Sequence, residues 1–194
     1  KIERSQLYAG LKKAVQPGRF EVMRLGWGAA GQTDGGCYIV LDGAHNDAGA
    51  EAIAKTMADV FPDKKTLIVA GMVEKKETDK VLGHFAKIGT DFIATQPDYE
   101  ERAMKAEDFA GHIRDVAATT GQEMNVLEVA DSPAAAVDAA RRIVEAAGQQ
   151  DGAAGYDVVL FTGSLYLIGA IRSILMKKTD YDTDRTLKYG SVSH

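Results

Sequence analysis

Short, continuously apolar stretches recur along this chain, and each is followed by a segment with a helical pattern. Residues 37–41, 66–72 and 157–162 are the clearest of these stretches, and they have the length of β-strands. A strand that is apolar on both faces is typical of a parallel sheet covered by helices on both sides. Strands and helices alternate at intervals of roughly 25 to 35 residues, as in βαβ units. The pattern therefore predicts an α/β fold with a doubly wound, mostly parallel sheet.

The predicted elements begin with an amphipathic helix at residues 2–15, which Pro17 and Gly18 stop. Two strands, at 19–25 and 37–41, are predicted to form an N-terminal hairpin around a glycine-rich loop. The other strands are predicted at 66–72, 91–95, 124–129 and 157–162. The other helices are predicted at 46–60, 78–88, 106–119, 133–147 and 165–176.

Composition is consistent with one compact domain. Of the 194 residues, 45% are hydrophobic and 26% are charged, which is typical of a soluble globular protein. Residues 17–178 are predicted to form the domain, residues 1–16 a helix or linker that leads into it, and residues 179–194 a polar tail. The chain opens on Lys1 within a helical pattern, so we expect it to be a piece of a longer protein.

Charge and cysteine content exclude several classes of function. A net charge of −5 argues against binding nucleic acid or anionic membranes through a global basic field, although a local phosphate site remains compatible. No apolar stretch approaches the ~20 residues that cross a bilayer. The single cysteine, Cys37, excludes an internal disulfide and a multi-cysteine zinc site, and a buried thiol in a reducing cytoplasm is expected.

Residues 41–46, with the sequence LDGAHN, place a carboxylate and an imidazole where a strand turns into a helix. Ligands of open α/β sheets gather at such turns, outside the carboxyl ends of the strands, so Asp42 and His45 are candidate binding residues. A structural interpretation is also open, because an Asp or Asn at this place can cap the following helix.

Other candidate motifs are incomplete. The chain has neither a GxxxxGK[S/T] phosphate loop nor a GxGxxG fingerprint after a strand. Ser164 follows a buried strand but lacks the glycines of a GxSxG nucleophile elbow, so it either caps a helix or contacts an anion or substrate. His84 and His112 lie within helical patterns and are interpreted as surface or packing residues. No histidine has a partner at zinc-ligand spacing, so no metal ligand is predicted.

Three segments carry a resemblance to a known family: residues 17–21 (PGRFE), 41–46 (LDGAHN) and 163–169 (GSLYLIG). In this order and spacing they resemble the C-terminal domain of folylpolyglutamate synthase and dihydrofolate synthase, which belong to the Mur ligase superfamily. The resemblance covers nearly the whole chain. It implies a Rossmann-like ligase domain that works beside an N-terminal ATPase domain, and the phosphate loop belongs to that other domain.

The resemblance also implies a reaction and a set of site residues. Such ligases use MgATP to phosphorylate a folate or pteroate carboxylate, and the amine of L-glutamate then attacks the acyl phosphate. It implies that Arg19 reaches the ATP phosphates and that Asp42 contacts the ribose hydroxyls. His45 is expected against the nucleotide or near the incoming glutamate, and Ser164 at the glutamate carboxylate. Asn46 is assigned to the nucleotide site but is expected mainly to shape the turn.

This interpretation leaves two alternatives. The chain could be a stand-alone Rossmann-type module for nucleotide binding or protein interaction, or a Mur-type ligase domain with a different acceptor. Asp47 stands where family members commonly have proline, and its charge is favourable at the start of a helix. As the ligase domain alone, the chain is expected to be inactive, with Mg²⁺ held mainly by the preceding domain.

Overall fold

A computed structural model of the chain describes residues 3–13, 16–27, 36–74, 77–99, 101–149 and 155–178. The helices of these residues are α1 (Arg4–Lys13), α2 (Asp47–Val60), α3 (Thr78–Phe85), α4 (Ala106–Thr120), α5 (Pro133–Ala147) and α6 (Leu165–Lys178). The strands are β1 (Glu21–Leu25), β2 (Cys37–Leu41), β3 (Thr66–Ala70), β4 (Asp91–Thr95), β5 (Asn125–Ala130) and β6 (Val158–Thr162).

The six strands form one sheet in the order β1-β2-β6-β3-β4-β5. Strand β1 pairs with β2 in antiparallel orientation, and all other pairs are parallel. The predicted hairpin and the predicted mostly parallel sheet are therefore confirmed. Strand β6 is the last of the described strands in sequence, yet it lies between β2 and β3 near the middle of the sheet.

Helices cover both faces of the sheet, as predicted. Strand residues alternate in direction, so Val40 and Leu160 face a cluster that includes residues of α2, α3 and α4. Their neighbours Ile39 and Phe161 face the opposite cluster, which includes residues of α5 and α6. All residues of β3 and β6 are buried, whereas the edge strand β5 is partly exposed.

The largest differences from the predicted bounds lie at the ends of elements. Helix α3 ends at Phe85 instead of residue 88, because Lys87 and Ile88 donate i→i−3 hydrogen bonds that tighten the chain into a turn. Strand β3 ends at Ala70, and helix α6 extends to Lys178. In α1 the predicted helix is present, but its Leu7 side chain is exposed. The predicted tail, 179–194, lies outside the described residues.

The buried cysteine predicted for β2 is confirmed. Cys37 is 3% exposed, and burial, with a smaller contribution from the charge of Asp157, raises the pKa of its thiol to about 12. A thiol that is neutral at physiological pH is a poor nucleophile and metal ligand, so Cys37 serves packing. Among the described helices, none is long and apolar enough to cross a membrane.

Replacing Phe161 by Ala tests the central position of β6. The Phe161 ring is fully buried between the sheet and the helices α5 and α6, so we expect Phe161→Ala to lower the free energy of unfolding by about 3–5 kcal/mol. Leu127→Ala on β5 is the control, and a change within about 0.5 kcal/mol is expected because that side chain is 44% exposed. Urea denaturation followed by circular dichroism measures both, and equal losses would contradict the assignment of β6 to the core.

Candidate functional site

Three segments of the chain meet at the end of the sheet where the parallel strands have their carboxyl ends. They are the turn at 17–20 before β1, the turn at 42–46 after β2, and residues 163–164 after β6. They meet because Glu21 pairs with Leu41 in the antiparallel hairpin, and Leu41 pairs with Phe161 in the parallel sheet. Two backbone hydrogen bonds extend this pairing into the turns. The Asp42 N–H donates to the Phe161 carbonyl, and the Gly43 N–H donates to the Gly18 carbonyl, both at 3.0 Å.

The Asp42 carboxylate joins two of these segments. Its Oδ2 accepts from the Phe20 N–H at 2.8 Å, and its Oδ1 accepts from the Ala44 N–H at 2.9 Å. Burial raises the pKa of Asp42, while these two hydrogen bonds and the nearby Arg19 and His45 partly oppose the rise. Each carboxylate oxygen can accept more than one hydrogen bond, so the ribose contact is compatible and stays a prediction.

Arg19 extends from a tight turn into solvent. Its neighbours Gly18 and Phe20 both have left-handed backbone conformations, with φ of 72° and 44°. A Cβ atom on Gly18 would lie 2.9 Å from Cγ2 of Ile168 on α6, so the turn requires glycine for both its conformation and its close contact. The exposed guanidinium therefore stands on a defined backbone near Asp42.

His45 and Asn46 shape the start of α2. The Nδ1 atom of His45 lies 2.7 Å from the Gly43 carbonyl, which can only accept, so this hydrogen bond requires the proton on Nδ1. The Oδ1 atom of Asn46 accepts from the Gly49 N–H at 2.8 Å as the N-cap of the helix. The expectation that Asn46 shapes the turn is confirmed, and its contact with a nucleotide stays a prediction.

Asp47 lies in the first turn of α2, as interpreted from the sequence, but its carboxylate also has a specific partner. Its Oδ1 atom is 2.9 Å from Nε2 of His84 on α3. A similar contact of 3.0 Å joins His112 on α4 to Asp79 on α3. The surface or packing role predicted for His84 and His112 thus takes the form of links between neighbouring helices.

Ser164 caps α6. Its side chain is buried, and its Oγ accepts from the Tyr166 N–H at 3.2 Å. The capping interpretation is therefore confirmed, while the contact with the glutamate carboxylate stays a prediction. Gly163 precedes it with a φ of 103°, and a Cβ atom there would lie 2.7 Å from the Gly71 carbonyl. Only glycine allows β6 to end this close to the end of β3.

Sequence reasoning missed three features near this edge. The rings of Tyr99 and Tyr166 stack with centroids 4.5 Å apart, and the Thr162 hydroxyl is buried without a hydrogen-bond partner. Glu21, which is 3% exposed, pairs with Arg172 on α6. The sequence does show Glu21 at the start of a strand and Arg172 in an apolar helix. It does not show that they pair, because they are far apart in the chain.

Residues 18–165 match the Mur ligase glutamate ligase domain. The chain belongs to this family. Two related proteins confirm the resemblance to the folylpolyglutamate synthase C-terminal domain. A probable bifunctional folylpolyglutamate synthase/dihydropteroate synthase of Haloferax volcanii is 28% identical over 188 residues, and the alignment covers 96% of this chain and 19% of that protein.

The second relative of this ligase domain is a dihydrofolate synthase/folylpolyglutamate synthase of Mycobacterium tuberculosis. It is 26% identical over 170 residues, which cover 86% of this chain and 32% of that protein. The solved structure of the M. tuberculosis folylpolyglutamate synthase complexed with ADP superimposes with a TM-score of 0.71 at 26% identity. That match covers 90% of this chain and 35% of the other. The ligase domain thus spans about a third or less of these relatives.

The N-cap assignment of Asn46 yields a test on the ligase domain itself. We expect Asn46→Ala to lower the free energy of unfolding by about 1 kcal/mol, because the Gly49 N–H loses its acceptor. Asn46→Ser is expected to restore most of the loss, because serine also caps helices. Ser132→Ala, which removes the equivalent acceptor at the start of α5, provides a matched reference. Equal stability of the alanine variant and the wild type in urea titrations would refute the assignment.

Proposed function

We propose that this chain is the C-terminal domain of an ATP-dependent ligase that adds L-glutamate to a folate or pteroate carboxylate through an acyl phosphate. The observation that carries the proposal is the convergence of the three family segments, which brings the Arg19 turn beside Asp42 through the hydrogen bond between Phe20 and Asp42. The relatives named folylpolyglutamate synthase support the substrate class.

Arg19 and Asp42 suit the phosphates and the ribose of a nucleotide, respectively. A guanidinium is permanently charged and planar, so it can donate several hydrogen bonds to phosphate oxygens, including those of a phosphoryl group in transfer. Asp42 keeps acceptor capacity for the ribose hydroxyls in addition to its two backbone partners. The ADP complex of the related M. tuberculosis enzyme supports a nucleotide as the ligand.

His45 is assigned to the nucleotide or the incoming glutamate, and Ser164 to the glutamate carboxylate. Because Nδ1–H of His45 donates to the Gly43 carbonyl, the ring has a fixed orientation, which we place near the nucleotide or the incoming glutamate. Ser164 accepts from Tyr166, and a hydroxyl can accept and still donate its own proton, here to the glutamate carboxylate.

The remaining partners come from outside the described residues. We assign Mg²⁺ mainly to a preceding ATPase domain, as the family resemblance implies. That domain also supplies the phosphate loop and most of the folate site. We expect the complete protein to act in the cytoplasm, without binding nucleic acid or membrane.

The proposal predicts that the chain has no ligase activity alone. Incorporation of labelled glutamate into a folate is expected to be undetectable with the 194-residue chain and present with a protein that also carries the ATPase domain. The physical reason is that the phosphoryl donor needs groups from both domains. Clear turnover by the isolated chain would contradict the proposal that the reaction needs groups from both domains. Nucleotide binding in both proteins without turnover in either would favour the stand-alone module.

In the complete protein, Arg19→Ala is expected to lower kcat by about 10²-fold or more, because charge that develops on the phosphoryl oxygens loses a positioned cation. Arg24→Ala is the matched control, since Arg24 lies on β1, directly after the Arg19 turn, but contacts Tyr38 and Gly36 at the other end of the hairpin. Initial rates at saturating ATP measure both. An unchanged rate for Arg19→Ala would show that Arg19 is not part of the site. Turnover only with a non-folate acceptor would favour a Mur-type ligase with a different acceptor.

A further inference from the structure

Glu21 is a buried carboxylate with a guanidinium partner. It is the first residue of β1 and is only 3% exposed. Nε of Arg172, which lies on α6, donates to both of its carboxylate oxygens at 3.0 and 2.9 Å. A carboxylate that is this well buried requires such a partner, so Glu21 depends on Arg172.

The same carboxylate also holds the turn that carries Arg19. Oε2 of Glu21 accepts from the Gly18 N–H at 2.9 Å. On the other side of Arg19, the Phe20 N–H donates to Asp42. The amide groups of both residues that flank Arg19 are therefore bound by carboxylates, and the backbone of the turn is restrained on each side.

Helix α6 supports this turn at two neighbouring positions. Ile168 would contact any Cβ at Gly18, and Arg172 lies one helical turn further along on the same side of the helix. The helix itself starts directly after Ser164. The Glu21–Arg172 pair thus joins the turn of Arg19 to the helix that begins at Ser164.

We propose that Glu21 and Arg172 are positioning residues for the ligase reaction, which hold the turn so that the Arg19 guanidinium is in place before the phosphoryl group arrives. The inference rests on the proposed function. Neither residue is assigned a contact with substrate. Their effect operates through preorganisation, since a cation on a loose turn must be ordered at the moment of reaction.

The chain offers a matched control for this pair. Arg142 on α5 donates through Nη2 to both carboxylate oxygens of Glu128 on β5, at 2.9 and 3.1 Å. This is also a helix-to-strand contact between arginine and glutamate, but it lies on the opposite edge strand of the sheet. Glu128→Gln therefore removes a comparable charge without touching the Arg19 turn.

The first experiment measures the turn in the chain itself. Amide hydrogen exchange of Gly18 and Phe20 is expected to accelerate by about tenfold or more in Glu21→Gln, because a neutral amide no longer holds Arg172 and restrains the turn less. Glu128→Gln is expected to leave both rates unchanged. Arg172→Lys, which retains the positive charge on a partly exposed side chain, is the second variant if Glu21→Gln does not fold. Unchanged exchange at both amides would overturn the restraint.

The second experiment measures turnover in the complete protein. We expect Glu21→Gln or Arg172→Lys to lower kcat about tenfold at a temperature well below unfolding, with no change in Glu128→Gln. In an Arg19→Ala background the same substitutions are expected to cause no further loss of kcat. A merely structural role would instead lower kcat in that background as well. Normal kcat in both variants, or an equal loss in the Arg19→Ala background, would overturn the positioning role. Absence of turnover in the wild type would overturn the proposed function instead.

Discussion

The pairing of β6 with both β2 and β3 is the constraint on which the rest of the structure depends. It joins the N-terminal hairpin to the remaining parallel strands and buries every residue of β6. The ladder also continues past the strand ends, because Asp42 bonds to Phe161 and Gly71 bonds to Thr162. The turns that carry the candidate site therefore take their positions from the centre of the sheet.

The carboxylates at this end of the sheet each have a specific partner or a nearby cation. Glu21 has Arg172 as its ion-pair partner, and Asp42 has Arg19 near enough to lower its pKa against the effect of burial. Asp47, in the first turn of α2, has a hydrogen-bond partner in His84. This distribution explains how an acidic chain with a net charge of −5 can offer a local site for an anion.

The sequence predicted the elements better than their ends. Strands β2 and β4 were predicted to the residue, because polar residues or glycine bound each apolar run. The end of α3 was wrong by three residues, since a turn tightened by i→i−3 bonds has the same apolar spacing as a helix. The edge that holds the site followed from the family segments. The burial of Ser164 and the Glu21–Arg172 contact did not, because both depend on packing between residues far apart in sequence.

Phe20 shows how narrow the sequence choice is beside Arg19. Its φ of 44° costs a side-chain-bearing residue about 1 kcal/mol, which glycine would avoid. Yet its ring lies 6.4 Å from that of Phe61 and packs against the core, which glycine would forfeit. At position 20 the backbone therefore favours glycine while the packing favours an aromatic ring, so we expect few substitutions to be tolerated beside the exposed Arg19.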